Sequence, residues 1–508
     1  MSNNVNIIYS PSGLGTPATG EDFISGMIFY SSVLPSGFTS GVPQEIFGLQ
    51  QAASLGITNT SIGETKASGG GIIVTNAGAT GDKITVSIDT QSMFGIIELG
   101  SYANLASDTI NTVAAGLTAS INASSIKGFT ATVVGADITI IAPAQTGLAG
   151  NAFLPILSST GGITWNLSSI AVLSGGIASK IDPIWYHISE FFRANPTGTL
   201  WTLISTTSSS SSAYAEISTI QNVAIGKIRQ LGIFETIAFS TSNLSLMETQ
   251  AKALETNNKP LEIVYQGNFK AVSDLTTLSD LQALTAQNVT ATFGQDGANT
   301  NLGGGLRLFL ASGYSIGCVG LILGAISSAL VSTSIAWVQN FNMDNGSEMD
   351  VLAFANGTLL SSVSDNLINN IDSKNYVFLK KFVGVSGSYF NNNYTSISNT
   401  SDYSSISNNR TIHKVARNVR ARLLPSLASP VYFNKDGSIA LYSIAFFQDE
   451  ANTALSFMKA AGEISDYNTI INAKQNVLST KTLTIGVQIV PVGTANVINV
   501  NLGFVLSI

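Results

Sequence analysis

Charge is what this sequence most lacks. Charged residues fill 10% of its 508 positions, against roughly a quarter in ordinary globular proteins. Free enzymes rely on surface charge for solubility, so a chain this poor in it suits a subunit covered largely by copies of itself. Cysteine is nearly missing: the lone Cys318 excludes an internal disulfide framework and any cysteine-based metal site. His187 and His413 are the only histidines, far apart and without HExxH spacing, so no paired-histidine metal site is expected. No G-x-x-x-x-G-K-[S/T] loop and no dinucleotide fingerprint is present, and the glycine clusters "SGGGI" and "LGGGL" lack the required partners. Neither a metal nor a cofactor is expected. Positive charge is also short. With a net charge of −7, nucleic acid is disfavoured as a partner, because phosphate binding needs a basic face.

Long uninterrupted apolar runs are scarce as well. The start, "MSNNVNIIYSPSG", lacks the basic and apolar regions of a secretion signal. From Leu308 to Met343 no charge occurs, but Gly and Ser break the stretch and no basic flank sets an orientation. It reads as a buried strand followed by a buried helix, with no membrane insertion.

What is present is enough apolar material, 44% of residues, for several cores. Residues 1–65 are punctuated by Gly, Ser and Pro, with apolar runs at Val5–Tyr9 and Met27–Val33. Residues 66–178 form a compositional island: strand Lys83–Ile88, a helical pattern over Ala103–Ser124, then a hairpin around Gly135-Ala136-Asp137. This reads as a small α+β unit inserted into a larger domain. Over 179–375, strands and helices alternate: "LWTLIS", the flexible loop "STTSSSSSA", "IRQLGIFETIAF", helix Leu244–Thr256, strand Leu261–Gln266, helix Leu275–Leu284, strand Asn288–Gly294. Such alternation predicts βαβ units and an α/β core with a mainly parallel sheet. Residues 376–508 read as a C-terminal α+β module. It starts with polar, Asn-rich, irregular Ser386–Arg410, and continues with helix Ile412–Leu424 and helix Asp449–Ala473, broken near Gly462. A hairpin of Thr482–Val490 with the closing strand completes it.

That closing strand, "VINVNLGFVLSI", has apolar side chains at every second position, Ile498, Val500, Leu502, Phe504, Leu506 and Ile508, which share one dry face, with Asn499, Asn501, Gly503 and Ser507 at most of the positions between. The run at Val5, Ile7 and Tyr9 is a second candidate arm strand. An exposed strand of this kind can add to the open edge of another copy's sheet, or pair at home with Thr482–Val490.

Two features invite a chemical reading. "GYSIG" (Gly313–Gly317) is a formal G-x-S-x-G with an expected strand before Ser315 and helix after it, the context of a nucleophile elbow. His413 would complete the order, but it lies in a basic helix and no acid partner is evident, so a tight turn is the better reading. The carboxylates Glu21, Asp22, Asp344, Glu348, Asp350, Asp449 and Glu450 are scattered; Asp449/Glu450 reads as a helix start, where negative charge is favoured. The helix "NRTIHKVARNVRARLLPSL" carries more information. At 100° per residue, Ile412, Val415, Ala416, Val419 and Leu423 form an apolar stripe. Arg410, His413, Lys414, Arg417 and Arg420 share the opposite face, which is either solvated or a docking face for an acidic partner.

Three segments, Trp185–Ser205, Leu321–Asn342 and Gly387–Leu427, together with the closing alternating strand, resemble the contractile tail sheath proteins of bacteriophages and related injection systems. The resemblance covers the chain from about residue 180 onward. It implies a structural, non-enzymatic subunit of a helical sleeve around a tail tube. Its partners would be neighbouring sheath subunits, the tube protein, and baseplate and tail terminator proteins. Neighbours would be linked by N- and C-terminal strand arms, and contraction would drive the tube through the host envelope. It also implies residence in the virion after assembly in the host cytoplasm, with Arg410, Lys414, Arg417 and Arg420 facing the tube. A Ser315 hydrolase, or another tail component such as a tube or baseplate subunit, is the alternative.

Overall fold

The computed structural model describes residues 21–91, 93–167, 172–298, 304–500, 502 and 504. Six strands form the central sheet: β1 (Ile24–Tyr30), β2 (Gln44–Ile46), β3 (Thr199–Ser205), β4 (Gln230–Ala238), β5 (Glu262–Asn268) and β6 (Val289–Ala291). Their order is β6-β5-β4-β1-β3-β2, and every neighbouring pair is parallel except β3 with β2. The sheet is thus mainly parallel, as the alternation of strands and helices predicts. Helices α1 (Asp182–Ala194), α2 (Thr241–Thr256), α3 (Gly305–Ser312) and α4 (Val319–Ser328) cover it. Met27 and Phe29 of β1 enter a core with α1 and α4, whereas Ile28 between them enters a second core with α2. Coverage on both faces explains why β1 is apolar almost throughout and does not alternate.

Helices α1 and α4 pack unusually closely. A Cβ at Gly320 would lie 2.1 Å from the His187 carbonyl oxygen, and one at Gly324 would lie 2.5 Å from that of Phe191. The two glycines, four residues apart on one helix face, let the backbones meet. Next to them, Asn195 Nδ2 donates to Ser327 Oγ at 2.8 Å.

Several elements differ from the sequence reading. The uncharged stretch opens as helix α3, not as a strand; Asp296 Oδ2 accepts the N–H of Gly305 at 3.0 Å where that helix begins. A short apolar run carries no signal that separates a buried strand from a buried helix. Among the described residues no helix is long and apolar enough to cross a membrane. Leu275–Leu284 forms two 3₁₀ turns, because the side chains of Asp274 and Asp280 accept the N–H groups of Thr276 and Gln282 and favour local turns. Asn288–Gly294 is divided: β6 joins the sheet, and Gly294–Asp296 pairs antiparallel with Leu352–Phe354. The serine run is not a free loop, since Ser209–Ser212 is a helical turn and Ser209 donates to buried Glu235.

Residues 68–167 build two antiparallel sheets around a shared core with the helix Ile110–Ser124. That helix starts later than the periodicity suggests because Thr109 and Thr112 cap each other reciprocally. Thr130–Val134 and Asp137–Ile141 form the expected hairpin. The Asn-rich segment is polar but largely buried over Ser388–Ser396. Asn391 receives the Phe378 N–H at 2.8 Å and donates to Tyr376 O at 2.9 Å, and Asn393 donates to Ser407 Oγ at 2.9 Å.

The chain continues with helices α5 (Ile406–Leu423) and α6 (Leu441–Ala460) and strands β7 (Ile464–Ile470) and β8 (Gly486–Pro491). Gly462, at φ +72°, lies just past the end of α6. Strand β7 comes directly after it, so helix and strand replace the expected broken helix Asp449–Ala473, and Asp449/Glu450 lies mid-helix instead of at a start.

Candidate interaction surface

Helix α5 begins at Ile406, six residues before the apolar stripe, because Ser405 caps it by accepting the Asn408 N–H at 3.3 Å. Its two faces are used in the opposite sense from the sequence expectation. The basic face turns inward. Arg410 is buried against the carbonyls of Ala329 and Leu330, and burial pushes its pKa down to about 10 despite Asp22, Glu262 and Glu463 nearby. His413 Nδ1 lies 3.3 Å from Glu262 Oε1. Burial holds the imidazole down to about 3 and raises the Glu262 carboxyl well above its ordinary value. Burial thus disfavours the charged form of both groups. Lys414 donates to Asp22 Oδ2 at 2.5 Å and also to Glu463 Oε1, and Arg417 reaches Asp22 Oδ1 at 3.1 Å. Burial alone would raise the Asp22 pKa; the Lys414 hydrogen bond and the charges of Lys414, Arg417 and Arg410 outweigh it and hold the group below the usual carboxylate range.

Of the four residues expected to face a tube, only Arg420 is exposed. Arg410, Lys414 and Arg417 are engaged within the chain, which corrects the expectation of an open basic face. The pattern showed that the helix has two unlike faces. It did not show that Asp22, Glu262 and Glu463 would wait under the charged one.

The apolar stripe is left partly open. Ile412, Ala416, Val419, Leu423, Leu424 and Leu427 line a groove of about 580 Å³ that reaches Val487 on β8. Val415 alone of the stripe is fully buried, in a small core with Leu455, Met458 and Ile464. Strand β8 pairs antiparallel with β7 in a two-stranded sheet, so hydrogen-bonding edges remain open among the described residues. Among the described residues the partner of β8 is β7, where a hairpin of Thr482–Val490 with the closing segment was expected. The described residues of that segment form no strand. Ile498, Val500 and Leu502 are 79%, 72% and 93% exposed, and Phe504 is fully exposed. Val5, Ile7, Tyr9, Leu506 and Ile508 lie outside the described residues.

Ser315 is not placed for nucleophilic work. It sits in a turn between two helices, α3 and α4, where a nucleophile elbow needs strand, turn and helix. Its buried Oγ donates to Ala355 O at 2.5 Å and accepts the Phe269 N–H at 2.8 Å. His413, on α5, is engaged with Glu262. His187 is fully buried; its Nδ1 accepts the Gly320 N–H at 3.4 Å and its ring lies 4.6 Å from that of Phe234. Among the described residues no group of three His, Cys, Asp or Glu side chains is placed to hold a metal ion.

Sequence comparison matches residues 402–508 to a family described as DUF2586, C-terminal domain. No curated protein matches the chain. Among solved structures, the chain is similar to a protein of the anti-feeding prophage baseplate, at 12% identity and TM-score 0.43, over 63% of this chain and 80% of that one. It is similar to a protein of the contracted PVC sheath complex of an extracellular contractile injection system, at 13% and 0.41, over 64% and 81%. A sheath tail protein from Listeria innocua is similar over 92% of this chain and 95% of its own, at 11% identity and TM-score 0.39. The structures to which this chain is similar are therefore sheath and baseplate proteins of contractile injection systems and a sheath tail protein.

Proposed function

We propose that the chain is a structural subunit of a contractile phage-type tail sheath, polymerising into a helical sleeve by strand exchange between copies. One observation carries this reading: among the described residues, each molecule holds both an unfilled acceptor and an exposed donor. The acceptor is the open edge of the β7–β8 hairpin with the apolar groove beside it. The donor is the alternating segment around Ile498–Phe504, whose large side chains stand in solvent.

Physical chemistry favours their union in another copy. Burying a Val, Leu, Ile or Phe side chain contributes about 1.5–3 kcal/mol, and each main-chain hydrogen bond adds about 0.5–1.5 kcal/mol net. A head-to-tail contact that does not close on itself propagates as a helix. The low surface charge fits a molecule covered by its own copies. Contraction is then repacking between two lattices, with work drawn from differential burial and no nucleotide required. In this reading the tube, baseplate and terminator are neighbours of the sleeve, and the virion is its location.

Removing residues 497–508 and imaging the purified protein by negative-stain microscopy tests the proposal. The expected result is loss of tubes with the thermal unfolding profile retained. Trimmed copies that still build normal sleeves would refute it.

A further inference from the structure

Lys414 stands at a junction that the exchange of strands does not by itself require. Its single ammonium touches two carboxylates from distant parts of the chain, Asp22 and Glu463. Asp22 lies two residues before β1, where the chain enters the central sheet. Glu463 immediately precedes β7, where the chain enters the C-terminal hairpin. Arg417 adds a second bond to Asp22, and Arg229 pairs with the adjacent Glu21, so both acidic residues ahead of β1 are tied down. These side chains are largely shielded from water, 20% exposed for Lys414, 27% for Asp22 and 5% for Glu463, so salt screens them less than surface pairs.

The hairpin packs against α5 and α6. Its own small cluster, Val415, Leu455, Met458 and Ile464, is separate from the two cores of the sheet. A second polar link at the hairpin root is weak: Ser332 Oγ reaches Gly462 O at 3.4 Å. Among the described residues, Lys414 is the side chain that bonds both carboxylates, with the Arg410 guanidinium close to the same two groups.

We propose that Lys414 is a clasp that fixes the direction of the C-terminal hairpin relative to the segment leading into β1. In a lattice built by strand exchange (the sheath reading, on which this consequence rests) those are the two places where a subunit meets its neighbours. The clasp then sets the angle between successive links, and with it the pitch of the sleeve.

Hydrogen exchange on the full chain before assembly tests the clasp without the lattice. In Lys414→Met, amides of Ile464–Ile470 and Gly486–Pro491 should exchange about tenfold faster, as expected for loss of a partly buried, charge-assisted bond, while those of Ile24–Tyr30 stay unchanged. Lys414→Arg should restore much of the protection. Unchanged exchange in the hairpin would overturn the proposal. If Lys414→Met loosens β1 as well, Glu463→Gln, which removes only the hairpin half of the clasp, takes its place: hairpin exchange must rise, and failure to rise overturns the proposal. Tube imaging separates the two ideas. Lys414→Met sleeves with an altered pitch support the clasp, and sleeves of native pitch refute its lattice role. Absence of tubes from the unaltered protein counts against the sheath reading and leaves the exchange result to decide the clasp.

Discussion

Replacing Gly320 by Ala should destabilise the central domain by roughly 3 kcal/mol, although helix propensity alone favours Ala over Gly by about 1 kcal/mol. The added methyl would sit 2.1 Å from the His187 carbonyl oxygen, 2.7 Å from its carbon and 2.8 Å from its Cα. All three are backbone atoms of α1, so no rotamer change relieves the clash, and α1 and α4 must separate by about 1 Å or more to restore ordinary contact distances. A gap of that size forfeits a quarter to a half of each dispersion contact across the interface, where Ile184, Ile188, Phe191, Leu321 and Ile322 are buried. Overpacking alone costs about 1–3 kcal/mol. With several side chains losing contact, a gross cost of about 4 kcal/mol, less the propensity gain, leaves the stated figure. Calorimetry or chemical unfolding of the full chain reads this as an earlier transition. Gly324→Ala should behave alike, because its Cβ meets Phe191 O at 2.5 Å. Exposed Ser328→Ala on the same helix should change stability by no more than about 0.5 kcal/mol. A Gly320→Ala protein as stable as the parent would show that the helices do not meet through this glycine.

Other substitutions address the surface and the buried polar groups. Leu423→Asp places a charge in the groove and should abolish tubes while the unfolding temperature holds; tubes of normal appearance would remove the groove from the assembly surface. Asp22 has a folded pKa below its ordinary 3.8, so its contribution is complete above that value and is lost as pH falls through the folded one. The stability difference between the parent and Asp22→Asn should therefore shrink on acidification below pH 4, and a difference that grows there would contradict the ion pairs with Lys414 and Arg417. Ser315→Ala should cost about 1–3 kcal/mol, because it leaves the Phe269 N–H and Ala355 O without their buried partner. Esterase turnover that disappeared with this substitution would instead restore Ser315 as a nucleophile.

Periodicity and punctuation determined the elements whose signals are local. The strands of the sheet followed by helices of the right length announced a mainly parallel core, and Gly135-Ala136-Asp137 announced the hairpin beside it. The repeat in α5 marked a helix with two unlike sides. Only the tertiary structure decided what those faces meet. Charged side chains go inward when carboxylate partners wait there, as half-buried Asp22 and buried Glu262 and Glu463 do beneath α5, and the apolar stripe is then left as an open groove. The run around Leu308 became helical because Asp296 receives its first N–H, a contact from outside the run that its composition does not encode. The polar segment Asn391–Thr395 is largely buried because Asn391, Asn393 and Thr395 find partners in Tyr376 O, Ser407 Oγ and Tyr403 O that only folding brings near. Local pattern reports the chemistry of a face; its destination depends on the free energy of every group packed against it.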